Sequence, residues 1–258
     1  MISWLRDLNR RRRLGRRSRL LARAVRGGEH VLGRAKVAGR RVAVVGPADT
    51  VTEEARSVDL AGYDVIVRMN RSLTLQGAAL NTLGGRTDML FHNFKQEGVR
   101  SASPLDPAAL RRHGVGTVVF PHASDRSFSS AFFDQARRLK DEAGVETQVV
   151  DPALYGALTS KLEGRVPTTG ATAVAAIAAL DPAELCVIGF TFFQTGYSAA
   201  YNPQIATGDA ARDWAAQEGL HDPAREARVI RRRLEEAEAR GVALRLGAGV
   251  SAALGRAD

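Results

Sequence analysis

From residue 39 onward, short apolar runs alternate with longer stretches of helical character, and this alternation constrains the fold of the 258-residue chain more than any other feature. Arg41–Val45 (RVAVV) ends at Gly46-Pro47 and reads as a buried first strand. Residues 64–69, 89–92, 117–121 and 146–150 follow as strands, with amphipathic segments between several of them. The Ala-rich stretch 168–180 predicts a helix, 185–190 a further strand, 222–240 a long charged helix and 242–246 a closing strand. Strands separated by helices make an α/β fold, a Rossmann-like and mostly parallel sheet with helices on both faces. No internal repeat or Pro/Ser-rich linker interrupts residues 39–258, which read as a single domain. Ligands of such sheets sit at the carboxyl ends of the strands. Polar residues collect there: Asp49 and Thr50, Asn70, His92 and Asn93, His122, and Thr191 after the strand holding Cys186.

Composition narrows the class. With 45% hydrophobic and 25% charged residues, collagen-like, disordered and disulfide-stapled chains are excluded. No run of about 18 apolar residues offers a membrane span. The single cysteine, Cys186, excludes an intrachain disulfide and any multi-thiolate metal site. The net charge of +9 is unevenly placed. Residues 1–40 hold thirteen of the 37 basic residues against Asp7 and Glu29, leaving 24 bases and 26 acids in the remainder. The basicity therefore belongs to an N-terminal arm, residues 1–38, and not to the body, which argues against reading the whole protein as a nucleic-acid binder.

The arm has no continuous apolar core and no small-residue cleavage site, so it is not a secretory signal. Trp4, Leu5 and Leu8 stand at helical spacing ahead of arginines, a pattern suited to lying on an anionic membrane surface through residues 1–26. A solvated basic tail fits the same residues. Nucleic acid is disfavoured, because the arm has one aromatic and no stacking series.

Several chemistries are absent from the pattern. There is no P-loop, no nucleophile elbow, no clustered metal spacing and no D-x-D pair. Gly247-Ala248-Gly249-Val250-Ser251-Ala252 resembles a dinucleotide fingerprint but lies too near the end of the chain for the rest of a βαβ unit, and reads as a turn. Two features remain. Pro167-Thr168-Thr169-Gly170 opens the Ala-rich helix, where a hydroxyl cap and a glycine allow free N–H groups to meet an anion. His221-Asp222-Pro223 opens the long helix, with Asp222 suited to the cap and Pro223 to the first helical position. His221 then stands just outside the positive end of a helix, whose field disfavours imidazolium and leaves a neutral base, while neighbouring Asp222 pulls the other way.

Four segments resemble the sialylmotifs of the eukaryotic-type sialyltransferases, glycosyltransferase family 29, over somewhat more than a third of the chain. The large motif is similar to residues 42–93, with VAVVG ending at Gly46, Arg68-Met69-Asn70 and Gly84-Gly85-Arg86-Thr87. The small motif is similar to Pro167-Thr168-Thr169-Gly170 continuing to Val187-Ile188-Gly189-Phe190, and the very small motif to His221 through Glu226. The third motif, a short aromatic-rich stretch, finds its echo in Tyr197 or Tyr201.

The resemblance implies a GT-A-like variant fold and metal-independent, inverting transfer of sialic acid from a CMP-activated donor to a glycan acceptor. No cofactor is implied, since the CMP-sugar is a substrate. His221 becomes the general base and Glu226 a structural partner of the motif. Gly46, Asp49, Asn70, His92, Asn93, Thr168, Thr169, Gly170, Phe190, Tyr197 and Tyr201 become the donor-binding set. Two departures stand out: Pro47-Ala48-Asp49 replaces the asparagine usual after the first glycine, and Val42 stands where a half-cystine is expected. With no membrane anchor ahead of the domain, the expectation is a bacterial-style cytoplasmic relative, peripheral on the inner membrane face. A CMP-Kdo transferase on the same scaffold is the alternative enzyme. A non-catalytic protein acting through its arm, on a membrane surface or nucleic acid, is the alternative outside enzymes.

Overall fold

The computed structural model describes residues 15–17, 19–75, 77–97, 101–122, 132–216 and 219–256. Strands form where the apolar runs predict them: β1 (Arg41–Val45), β2 (Val65–Met69), β3 (Met89–Phe91), β4 (Thr117–Phe120), β5 (Glu146–Val149), β6 (Glu184–Ile188) and β7 (Ala243–Leu246). They pair in parallel in one sheet of order β5-β4-β3-β2-β1-β6-β7. The chain winds outward from β1 to β5 and then returns to the other flank of β1 as β6. Connections therefore leave the carboxyl ends of β1 and β6 in opposite directions, and a crevice opens between them. Along β1, Val42 and Val44 face one core while Ala43 and Val45 face another, the period of two that a strand covered on both sides requires.

Beyond the arm, the α-helices among the described residues are α1 (Val51–Arg56), α2 (Gly77–Leu83), α3 (Pro107–Arg112), α4 (Phe132–Ala143), α5 (Pro152–Lys161), α6 (Thr169–Ala178), α7 (Gly208–Ala216), α8 (Pro223–Ala239) and α9 (Ala248–Leu254). Sequence signals set several of their starts. Asp106, Asp151 and Asp222 each cap a helix by accepting from an amide of the first turn, with proline at the opening position. Helix α6 is buried almost throughout, and its alanines let it lie close to the sheet beneath α8.

The glycine run after β7 is not the plain turn expected but the cap and first turns of α9, and its anion seat is already occupied from within the chain. The buried carboxylate of Glu54 accepts from Gly249 N (2.9 Å) with one oxygen and from Gly189 N (2.8 Å) with the other. A Cβ at Gly249 would stand 2.5 Å from that carboxylate.

The packing of the basic arm crosses the boundary at residue 38. Residues 15–17 and 19–26 are helical, and Leu21 and Val25 bury against Phe120, Phe132 and Val149. Val31 bridges Val149 in parallel, and Leu32 and Val37 join the main core. Trp4, Leu5 and Leu8 lie outside the described residues. Among the described residues no helix is long and apolar enough to cross a membrane.

His92, directly after β3, is a fold-closing residue. Its Nδ1 accepts from Phe94 N (3.0 Å), so Nε2–H donates to the carbonyls of Ala102 and Ser103 (3.2 and 3.0 Å). Both nitrogens are satisfied in the neutral ring, and burial pushes the pKa from 6.5 down to about 4. A depressed pKa means that this stabilisation is complete above pH 6.5 and is lost as pH falls through 4, by up to about 3 kcal/mol. Urea unfolding of wild type and His92→Gln should therefore diverge most at neutral pH and converge between pH 6.5 and 4. A difference independent of pH would show that the ring is not buried neutral.

Candidate active site

The carboxyl ends of β1, β2, β3, β4 and β6 border one cavity, at the crevice the strand order creates. The loop after β6 folds back over the turn after β1. Ala48 N donates to Gly189 O (3.0 Å), Asp49 N to Gly196 O (3.1 Å) and Ser198 N to Pro47 O (2.8 Å), and the Thr195 hydroxyl donates to Asp49 Oδ1 (2.5 Å). Only glycine fits at position 46, where a Cβ would lie 2.1 Å from Gly189 O. Phe192 and Phe193, with φ of 49° and 61°, occupy the left-handed region in succession and line the cavity. Such strain persists only where surrounding contacts hold it, as the pairing to the 46–49 turn does here.

The floor is the N-terminus of α6. Thr168 caps it, accepting from Ala171 N (3.1 Å), and is itself gripped by Glu226 of α8. Glu226 Oε1 accepts from Thr168 N (2.7 Å) and Oε2 from the Thr168 hydroxyl (2.8 Å). Burial pushes the Glu226 carboxyl up to about 7, with the two bonds from Thr168 pulling the other way and nearby Asp222 adding to the rise. The amides of Thr169 and Gly170 have no partner among the described residues, and both residues line the cavity. A Cβ at Gly170 would meet Phe190 at 2.7 Å, so glycine there lets the Phe190 ring lie against the helix start.

His221 precedes the α8 cap. Its Nδ1–H donates to Val166 O (2.7 Å), two residues before Thr168, so in the neutral ring Nε2 is the nitrogen that carries the lone pair. Its ring stacks at 20° on Trp214 of α7, with centroids 6.4 Å apart, and Trp214 stacks in turn on Phe193. On the opposite flank Asn70, at φ 47°, accepts from Asn93 N (3.3 Å) and hydrogen-bonds the buried Tyr201 hydroxyl, whose pKa burial pushes up to about 12. Tyr197 packs on Tyr201 at 5.3 Å and pairs as an isolated antiparallel bridge with Ala48.

Of the candidates read from sequence, Asn70, Asn93, Thr168, Thr169, Gly170, Phe190, Tyr197, Tyr201, His221 and Glu226 line this cavity together. Gly46, Asp49 and His92 do not. The first two shape and hold the turn behind the wall, and His92 turns away to the carbonyls of Ala102 and Ser103. Three lining aromatics went unnoticed in the sequence, Phe192, Phe193 and Trp214, while His122, read there as a polar strand-end residue, also lines the cavity and is bonded to the Tyr155 hydroxyl (2.8 Å). The Phe-Thr-Phe-Phe run directly after a buried strand was the available signal for two of them. Among the described residues neither lysine nor arginine lines the cavity, and no three His, Cys, Asp or Glu side chains group as a metal site.

No family model matches the chain, and no curated protein matches it in sequence. Solved structures do. A variant of the sialyltransferase Cst-II in complex with CMP is similar over 85% of this chain and 86% of its own, with TM-score 0.50 at 13% identity. The Campylobacter jejuni CstII bound to the substrate analogue CMP-3FNeuAc covers 82% and 87%, with TM-score 0.46 at 11% identity. A mammalian sialyltransferase in complex with Gal-beta-1-3GalNAc-ortho-nitrophenol covers 82% and 71%, with TM-score 0.46 at 17% identity. The α/β sheet described above is the fold that the first of these, a sialyltransferase, also has.

Proposed function

We propose that the chain is a metal-independent, inverting glycosyltransferase of the sialyltransferase family, moving sialic acid or a related nonulosonic acid from a CMP-activated donor to a glycan hydroxyl. One observation carries this reading: the His221 imidazole is bonded to Val166 and shares a cavity with the Thr168–Gly170 helix start, Asn70 and Tyr197. The shared fold supports it.

In this mechanism His221 Nε2 takes the proton of the acceptor hydroxyl as its oxygen bonds to the anomeric carbon. The bond from that carbon to the phosphate oxygen breaks, and CMP leaves with the electron pair. The Thr169 and Gly170 amides and the Tyr197 hydroxyl meet the departing phosphate, donors fixed before charge develops. Asn70 and Asn93 hold the nucleotide, Tyr201 sets the Asn70 side chain, and Phe190 borders the base. Glu226 acts through Thr168, fixing the helix start at which the phosphate lies.

The direct test is CMP release from a panel including CMP-sialic acid and CMP-Kdo, with glycan acceptors and with EDTA present throughout. His221→Ala should lower turnover about 10²–10⁴-fold while leaving CMP affinity within about twofold. Unchanged turnover would remove His221 from the chemistry, and loss of all activity in EDTA would overturn the metal-free reading.

Glu226 yields a second test, on stability. Its raised pKa places its favourable contribution below pH 4.5, to be lost as pH rises through 7. The advantage of wild type over Glu226→Gln should shrink by on the order of 3 kcal/mol across that window, read from urea midpoints at pH 4.5 and 8. A constant gap would mean that the carboxyl is not desolvated against Thr168.

A further inference from the structure

The described part of the arm is a fixed helix with two unlike faces. Leu21 and Val25 point into the body, against Phe120, Phe132 and Val149, and Arg17 pairs with Asp134 to hold the start. Arg19, Arg23 and Arg26, continued upstream by Arg16, recur three and four residues apart on the opposite face, and all four are exposed. Among the described residues no acidic side chain pairs with any of them. Beside them stands Leu20, 50% exposed and one of two large apolar side chains that the described residues leave in solvent. Four guanidinium groups around an outward leucine, without an acidic partner among the described residues, form a small amphipathic face at a fixed position, whereas residues 41–258 carry a slight acidic excess.

We infer that this face docks the protein on an anionic lipid surface. Guanidinium groups meet lipid phosphates as paired donors, and Leu20 enters the apolar boundary beneath the headgroups. Nucleic acid shares the phosphate chemistry but gives an outward leucine nothing to bury in, and the described face offers no ring for base stacking. Phe120 and Val149, on which the helix rests, are the last residues of β4 and β5. The docking face therefore lies at the same carboxyl edge of the sheet as the cavity. Under the proposed activity, a lipid-borne glycan would be met on that side.

The test is flotation of the full-length chain with phosphatidylcholine vesicles containing or lacking phosphatidylglycerol. Binding should require the anionic lipid and weaken in high salt. Replacing Arg16, Arg19, Arg23 and Arg26 together by Gln should lower the partition coefficient at least about tenfold, and Leu20→Ser should lower it with the charges intact. Thermal unfolding and CMP binding of both variants report that the body is unchanged, and the vesicle result does not depend on whether the chain transfers sugar. Undiminished flotation of the Gln variant would assign the binding to residues 1–14 and overturn the proposal. So would equal binding to neutral vesicles, or binding to duplex DNA or RNA without binding to vesicles.

Discussion

The grip of Glu226 on Thr168 is the contact from which the rest of the cavity takes its position. One carboxyl group accepts from both the backbone N–H and the hydroxyl of Thr168 and so fixes both at the start of α6. Because Glu226 sits in the first turn of α8, the same contact fixes the starts of two helices against each other. His221, one residue ahead of the α8 cap, then reaches the carbonyl of Val166, two residues ahead of Thr168. The imidazole and the free amides of α6 are thereby referred to one short segment instead of to two independent loops. A carboxyl that burial holds at about 7 shows that this rigidity carries a desolvation cost.

A second buried carboxylate has the corresponding role on the other side. Glu54 ties the end of β6 at Gly189 to the glycine turn that opens α9. Gly189 leads directly into Phe190 and the strained Phe192-Phe193 pair, so the aromatic wall is anchored at the switch point of the sheet. Glycines at 46, 189, 247 and 249 admit these approaches, since a Cβ at any of them would fall inside 3 Å of its neighbour. The fold thus positions its cavity with two buried carboxyl groups seated on backbone amides, a use of helix and turn N–H groups that otherwise attract ligands.

What the sequence made legible was local. The central strands showed as apolar runs rich in Val, Ile and Leu because both faces are buried, and the start of α8 showed because Asp222-Pro223 is a cap followed by a first-turn proline. The strand ends ran one or two residues past their last ladder contact, as with 185–190 against Glu184–Ile188. What the sequence hid was separated along the chain. Glu54 meets Gly189 across 135 positions and Glu226 meets Thr168 across 58, with no periodicity to signal either. His92 and Asn93 looked equivalent after β3, yet neighbouring side chains leaving a strand diverge. Asn93 reaches the cavity and His92 the carbonyls behind it. Trp214 gave no signal at all, because its place is set by the packing of α7 against the 193–197 loop.

Charge is partitioned in a way that follows from what each surface has to do. Under the proposed transfer, a donor bearing a phosphate and a carboxylate could be held by lysine or arginine, but a fixed cation next to a general base would lower that base's pKa and oppose its protonation in the transition state. Amides, hydroxyls and the His221 imidazole line the described cavity instead, and the amide and hydroxyl dipoles would meet negative charge there without adding net charge beside His221. The guanidinium groups stand on the outer face of the arm helix, where hydration costs little and a long-range attraction is useful. Under the proposed transfer, moving one of those cations into the cavity would strengthen ground-state binding of an anion at the expense of the proton transfer to His221, which gives a physical reason for keeping the basic residues on the arm.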